Sequence, residues 1–406
     1  MKKHLALLTL LALVLGSVAF GIVGAQGRKG IDGGGERFRR MGARAIPGQY
    51  IVVFAEDAES RTALGDHAGV LGRAQALTRG TNAIPEFVYS AALRGFSARM
   101  SEAEAVALSR DPRVAFVEED SIMEALVTQT NATWGLDRID QRNLPLSTTY
   151  TYTSTGSGVN AYIIDTGIRT THTQFGGRAF GAFTSINDGG GTQDCNGHGT
   201  HIAGTVGGSI HGVAKAVRLH AVRVLSCAGS GTTSGVIAGV DFVRTNGVRP
   251  AVANMSLGGG VSTALDTAVI NAINAGIQFV VSAGGSNSNA SNASPARVAA
   301  AITVGSSTMT DARSSFSNFG SVVDLFAPGS SITSAWHTSN TDTRTISGTS
   351  MATAHVTGVA ARFLQTSPAA SPAAVRNALV ADATLNVLTG IPAGTPNRLL
   401  FRAGTQ

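Results

Sequence analysis

After Glu124 the 406-residue chain contains no glutamate, and from Val127 onward only one lysine, Lys215, against 15 arginines and 11 aspartates. Charged residues make up 14% of the whole and aromatics 6%, and the net charge of +6 is spread over single arginines without a basic run. Such a surface lacks the basic patch with interleaved aromatics that nucleic acid requires, so no nucleic-acid partner is expected. Cysteine is nearly absent: Cys195 and Cys227 are the only two. No spacing of ligand-type residues suits zinc. Past the first 25 residues no apolar stretch is long enough to cross a bilayer.

What is present is small and apolar: 43% hydrophobic residues and 50 glycines. This is ample for a large core plus an accessory unit. Residues 1–25 hold Lys2 and Lys3, an apolar run from Leu5 to Phe20, and then Val23-Gly24-Ala25. That pattern is a secretory signal with a small-residue cleavage site, and the run is short for a stable membrane anchor. Export places the two cysteines in an oxidising compartment, where a Cys195–Cys227 bond is the natural outcome and two free thiols the competing reading. A closure of this length contributes about 3–4 kcal/mol in chain-entropy models, less any strain.

Three segments carry chemistry. Asn160-Ala161-Tyr162-Ile163-Ile164-Asp165 reads as a buried strand ending on a carboxylate. In Asn196-Gly197-His198-Gly199-Thr200-His201 a histidine opens a helix amid glycines that allow close backbone approach. Gly348-Thr349-Ser350-Met351 sets a serine at the start of an apolar helix, where free N–H groups face developing negative charge. A carboxylate, a histidine and a serine supply orienter, base and nucleophile. Asp165, His198 and Ser350 are the candidates. Asp194 is an alternative orienter, disfavoured because it lies outside a strand. A lipase-type hydrolase would want Gly-x-Ser-x-Gly and the chain order Ser…Asp…His, and Ser350 has neither.

These segments, with Asn318-Phe319-Gly320 and Phe326-Ala327-Pro328-Gly329, resemble the subtilisin-like serine proteases, in particular the proteinase K and aqualysin-like branch. The order Asp…His…Ser is that of the subtilisins themselves. The resemblance runs from about Trp134 to about Phe401. It implies a secreted, monomeric serine endopeptidase of broad specificity acting on polypeptides, with His201 and His355 as packed structural residues. Gly229, Ser230 and Gly231 on one side and Ser256, Leu257 and Gly258 on the other would hold an extended peptide as an added strand. Thr233 is small where relatives often carry an aromatic, which widens that pocket. A structural calcium is implied on the Asp324 carboxylate with the carbonyl oxygens of Ala299 and Ala301. No catalytic cofactor is expected.

Two positions depart from the family pattern. Ser282-Ala283-Gly284 is followed by Gly285, where the family carries the asparagine whose amide joins the Ser350 N–H in the oxyanion hole. Asn287 is the nearest amide. Ala354 stands where relatives usually have proline, a mild change in a helix. Gly285 favours a rival reading, a weakened or inactive relative that binds peptides.

The chain reads as two units. Residues 26–44 look like a disordered leader rich in Gly and Arg. Residues 48–122 then give βαββαβ: a strand at 50–54, a helix at 58–77, strands at 87–89 and 95–100, a helix begun by Ser101 and Glu104 at capping-box spacing, and a strand at 114–120. A ferredoxin-like α+β unit follows, resembling the I9-type inhibitory propeptide. The expected division is 1–25 signal, 26–126 propeptide and 127–406 peptidase, the propeptide acting as intramolecular inhibitor and being cut off by the enzyme itself. The peptidase alternates strands (161–165, 221–225, 251–255, 278–281, 301–304, 322–326) with helices (198–207, 234–245, 263–275, 349–365, 372–380). An α/β fold with a mainly parallel, doubly wound sheet is expected, its ligands gathering at the carboxyl ends of the strands.

Overall fold

The structure, a computed structural model, describes residues 37–42, 45–56, 67–123 and 126–404. The expected signal, most of the leader and the first part of the helix expected at 58–77 lie outside them. The chain divides into two compact units, Met1–Ile122 and Met123–Gln406.

The first unit runs β1 (Phe38–Arg39), β2 (Ala45–Phe54), α1 (His67–Thr78), β3 (Ile84–Tyr89), β4 (Gly95–Arg99), α2 (Glu102–Ser109) and β5 (Val114–Ser121). Its sheet order is β1-β5-β2-β4-β3, antiparallel except for β1 beside β5. Without β1 this is the expected split βαββαβ arrangement. Tyr50, Val52 and Phe54 alternate inward on β2 and meet Val70, Ala74 and Leu77, one stripe of α1. The capping box forms: Ser101 Oγ accepts from the Glu104 N–H at 3.3 Å, and Glu104 Oε2 accepts from the Ser101 N–H at 2.8 Å. The leader reading needs correction at Phe38–Arg39, which is a strand. Phe38 packs on Tyr50, and the Arg39 guanidinium lies 3.6 Å from the centre of the Phe116 ring.

In the second unit come β6 (Val127–Thr130), α3 (Trp134–Asp140), β7 (Thr149–Tyr152), β8 (Asn160–Asp165), β9 (Ala179–Thr184), α4 (His198–Gly207), β10 (Arg218–Arg223), α5 (Thr233–Asn246), β11 (Ala251–Met255), α6 (Thr263–Asn274) and β12 (Gln278–Ser282). They are followed by β13 (Ile302–Ser307), β14 (Leu325–Pro328), β15 (Ile332–Ala335), β16 (Thr343–Ile346), α7 (Thr349–Thr366), α8 (Pro372–Asp382), β17 (Thr384–Leu385) and β18 (Arg398–Leu399). The main sheet has the order β17-β18-β14-β13-β12-β11-β8-β10-β9, parallel except for β17 with β18.

Strand side chains alternate between two cores. Ala161 and Ile163 of β8 join α3, α4, α7 and α8 on one face, while Tyr162 and Ile164 join α5 and α6 on the other. The chain leaves β8 toward β10 and β9, then returns to place β11 on the opposite side of β8. That reversal opens a crevice at the carboxyl ends of β8, β10 and β11, where sheets of this kind bind ligands.

Candidate active site

Asp165 is the last residue of β8 and is wholly buried. β10 ends beside it because the Val224 and Leu225 N–H groups both donate to the Asp165 carbonyl, at 2.9 and 3.2 Å, and leave the ladder. The expected strand 221–225 is therefore displaced to Arg218–Arg223. Asp165 Oδ1 accepts from the Thr166 N–H at 2.7 Å and meets His198 Nδ1 at 2.7 Å. His198 opens α4 between two glycines that cannot be replaced cheaply. A Cβ on Gly197, whose φ is 108°, would sit 2.4 Å from the Trp336 ring, and one on Gly199 would sit 2.1 Å from the Gly167 carbonyl oxygen. Burial pulls the His198 pKa down, but the charge and hydrogen bond of Asp165 outweigh it, and the pKa stands above the ordinary 6.5.

The other candidates near His198 point elsewhere. Both Asp194 oxygens are taken by the N-terminal turn of α4 and by Thr166. His201 Nε2 faces the carbonyls of Ile332 and Arg344, each at 3.0 Å, and burial lowers its pKa to about 3. His355 Nδ1 faces the Met351 carbonyl at 2.9 Å, and burial lowers its pKa to about 4. Neither histidine is placed to act as a base on Ser350.

Ser350 lies in the first turn of α7, behind Gly348. The Gly348 N–H donates to the Gly329 carbonyl at 2.9 Å. Gly329 itself packs so tightly that a Cβ would come within 2.2 Å of Ser306 Oγ, so only glycine fits there. Thr349 Oγ1 and Ser282 Oγ share a hydrogen bond of 2.6 Å that ties the helix start to the end of β12. Ser350 Oγ donates to the Ser256 carbonyl at 3.2 Å, and Ser256 Oγ donates to the Ser350 carbonyl at 3.0 Å. The helix start thus sits against Ser256, a residue of the cleft wall, and the first N–H groups of a helix have no acceptor four residues back within it.

A cleft of about 450 Å³ lies beside these groups. His198, Gly229, Ser230, Gly231, Thr233, Ser256, Leu257 and Gly258 line it, so every expected peptide-holding residue is brought to one place. Its apolar floor of Leu225, Val236 and Leu265 went unread in the sequence. Val236 and Leu265 look there like any core positions of α5 and α6. Gly259 and Ser294 close the back wall by exchanging backbone hydrogen bonds of 3.0 and 3.3 Å.

Residues 156–405 match the Subtilase family, and residues 49–126 match Peptidase inhibitor I9. The chain belongs to the subtilase family. It is 56% identical over 368 residues to an extracellular serine proteinase of Thermus sp. (strain Rt41A), covering 88% of this chain and 90% of that one. It is 50% identical over 364 residues to alkaline serine exoprotease A of Vibrio alginolyticus, covering 88% and 68% respectively. A crystal structure of a cold-adapted subtilisin-like serine proteinase aligns with TM-score 0.65 and 56% identity, over 67% of this chain and 98% of that one. This subtilase is a secreted serine-type endopeptidase that carries an I9-type inhibitor domain.

Within the subtilase, Cys195 and Cys227 are bonded. The bond joins the turn before His198 to the loop bearing Gly229–Gly231, and Asn196 Nδ2 adds a 2.9 Å bond to the Cys227 carbonyl. Gly285 is exposed, and no atom lies within 4 Å of where its Cβ would sit. The loop around it is held by Asn318, whose Oδ1 accepts from the Ser286 and Ser288 N–H groups, each at 3.0 Å, and whose Nδ2 donates to the Ala283 carbonyl at 2.8 Å. Asn287 has its N–H committed to the Phe316 carbonyl at 2.8 Å.

Asp324 is 5% exposed, accepts from the Thr303 N–H at 2.9 Å and pairs with Arg376. Burial outweighs these partners and raises its pKa. A carboxylate oxygen is the kind of donor a hard cation takes, and here Asp324 is buried with Arg376 and Arg398 beside it, while of the two expected carbonyl donors Ala299 is exposed and Ala301 is buried.

Proposed function

We propose that this subtilase hydrolyses peptide bonds of unfolded polypeptides through Asp165, His198 and Ser350. The observation that carries the reading is the 2.7 Å contact between the buried Asp165 carboxylate and His198 Nδ1. It leaves Nε2 as the free basic nitrogen at the edge of the cleft that Ser350 adjoins. A peptide lying as a strand between Gly229–Gly231 and Ser256–Gly258 presents its carbonyl carbon to Ser350 Oγ. His198 Nε2 takes the hydroxyl proton as the Oγ–C bond forms, and the carbonyl electron pair moves onto oxygen. Collapse of the tetrahedral adduct breaks the C–N bond while His198 returns the proton to the leaving amine. Water then repeats the sequence on the acyl-enzyme. Asp165 remains ionised and stabilises the imidazolium.

The oxyanion rests on the Ser350 N–H and the α7 start, with Gly285 supplying no side-chain donor. A subtilisin that loses its asparagine donor loses about 10²–10³ in kcat. The subtilase is accordingly slow in chemistry and unimpaired in peptide binding, which leaves peptide capture as a second reading that Gly285 favours. Specificity is broad, with apolar side chains preferred by the floor of Leu225, Val236 and Leu265. The precursor is organised as 1–25 signal, 26–126 propeptide and 127–406 peptidase, self-cut near Leu126, and the mature enzyme is a monomer. Asp324, with the Ala299 and Ala301 carbonyls, would hold a calcium ion that braces the loop before β13. The test is release of acid-soluble peptides from casein by the purified mature enzyme beside an inhibitor-blocked sample. Turnover in the first alone supports an endopeptidase. No turnover, with casein still retained on the immobilised protein, selects the peptide-binding reading.

A further inference from the structure

Asp194, four residues before His198 and 8% exposed, gathers five hydrogen bonds without a cation among the donors. Oδ1 accepts from Thr166 Oγ1 at 2.9 Å, the Asn196 N–H at 2.9 Å and the Gly197 N–H at 2.8 Å. Oδ2 accepts from the Thr200 N–H at 2.9 Å and Thr200 Oγ1 at 2.6 Å. Thr166 Oγ1 in turn accepts from the Gly199 N–H at 2.9 Å. Gly197 occupies the N-cap of α4 and has no side chain to cap with. A remote carboxylate therefore satisfies the N–H groups on both sides of His198, and through Thr166 it joins them to the residue that follows Asp165.

We infer that Asp194, acting with Thr166, is a positioning residue of the reaction: it fixes the imidazole of His198 against Asp165 and sets a second negative charge near the base. The inference rests on the proposed roles of Asp165, His198 and Ser350. Charge reaches His198 from Asp165 on β8 and from Asp194 in the preceding loop, and His201, one turn along α4, is kept neutral by burial. Removing the Asp194 charge makes the imidazolium less favourable, so the base form persists to lower pH. Loosening the α4 start misplaces the base, and an error of about 1 Å in such a group costs about 10²-fold.

The experiment compares mature wild type, Asp194→Asn, Thr166→Val and Thr166→Ser. Active sites are counted by fluorophosphonate labelling, and kcat and KM are measured per labelled site from pH 5 to 9. For Asp194→Asn we expect kcat about 10–100-fold lower, KM within about two-fold, and the acid limb of kcat/KM moved down by about half a pH unit. Thr166→Val should lose kcat without moving the limb, and Thr166→Ser should restore it. A carboxylate that only supports the fold would lower Tm and the labelled fraction while leaving kcat per site and the limb as in wild type. That result overturns the inference. Should Asp194→Asn fail to fold, a wild-type kcat per site in Thr166→Val overturns it equally. Wild type that carries no label at Ser350 sinks the triad reading and the inference with it, whereas labelled wild type beside an unaltered Asp194→Asn sinks the inference alone.

Discussion

The proposed slowness of the chemistry rests on Gly285. The loop that bears it is pinned by Asn318 to the Ala283 carbonyl, and a Cβ at position 285 would meet nothing within 4 Å. Restoring asparagine therefore adds a donor without forcing the backbone. Gly285→Asn is expected to raise kcat by about 10–10³-fold with KM little changed, because the contact exists only in the transition state. Steady-state kinetics on one chromogenic peptide checks it, and equal kcat would mean another donor already serves the oxyanion. His198 gives a second expectation. Its pKa is raised, so the imidazolium survives to higher pH and the base appears only above it. The kcat/KM profile should rise with pH through a midpoint above 6.5 and fall away below it; a midpoint at or under 6.5 contradicts the Asp165 coupling. At this scale the segments bearing Asp165, His198 and Ser350 and the cleft glycines stood out as candidates because each lies in a short run of residues, and the structure brings His198 onto Asp165 and the glycines to one cleft. Leu225, Val236 and Leu265 were not, since a cleft floor and a core draw on the same side chains.

Among the elements, the strands and helices that flank the site were readable to within a few residues, and α4 spans the expected 198–207. The misplacements have local causes. β14 starts at Leu325 instead of 322 because the Val323 N–H turns back to the Gly320 carbonyl at 3.1 Å. The antiparallel pairs β6–β7 and β15–β16 escaped notice because their four-residue strands are threonine-rich or mixed and too short to show a clear alternation, and β6 and β7 are separated in the chain by α3. α3 holds a pH-dependent weakness. Asp140 accepts from the Thr151 N–H at 2.6 Å, yet burial raises its pKa to about 6, with Asp137 adding repulsion. A carboxyl raised above its ordinary 3.8 favours the protonated folded state, so stability is lost as pH rises from about 4 to about 6. Asp140→Asn removes that loss and keeps an acceptor for Thr151. Calorimetry of the inhibitor-blocked enzyme should show Tm higher by about 2–6 °C at pH 8 and little different at pH 4. An advantage of the same size at both values would rule out titration as its origin.

On the scale of the whole molecule, the order of parts was readable because composition changes along the chain: glutamates end at Glu124 and the parallel-sheet alternation follows. The strand at Phe38–Arg39 was hidden because two residues carry no periodicity of their own and are ordered by distant partners, β5 beside them and the Tyr50 ring of β2. If the propeptide is removed by the subtilase's own nucleophile, Ser350→Ala should accumulate as precursor after signal removal, with no cut near Leu126, and gel analysis with N-terminal sequencing reads this directly. Normal maturation of that variant expressed alone contradicts self-processing. Whether Asp165 and His198 make Ser350 a nucleophile is read by covalent capture. Purified mature wild type is treated with a fluorophosphonate beside His198→Ala, and tryptic peptides are mapped by mass spectrometry. One adduct is expected, on Ser350, formed in wild type and reduced at least about 10³-fold in rate in the variant; an unlabelled wild type, or an adduct on another residue, would refute a nucleophilic Ser350.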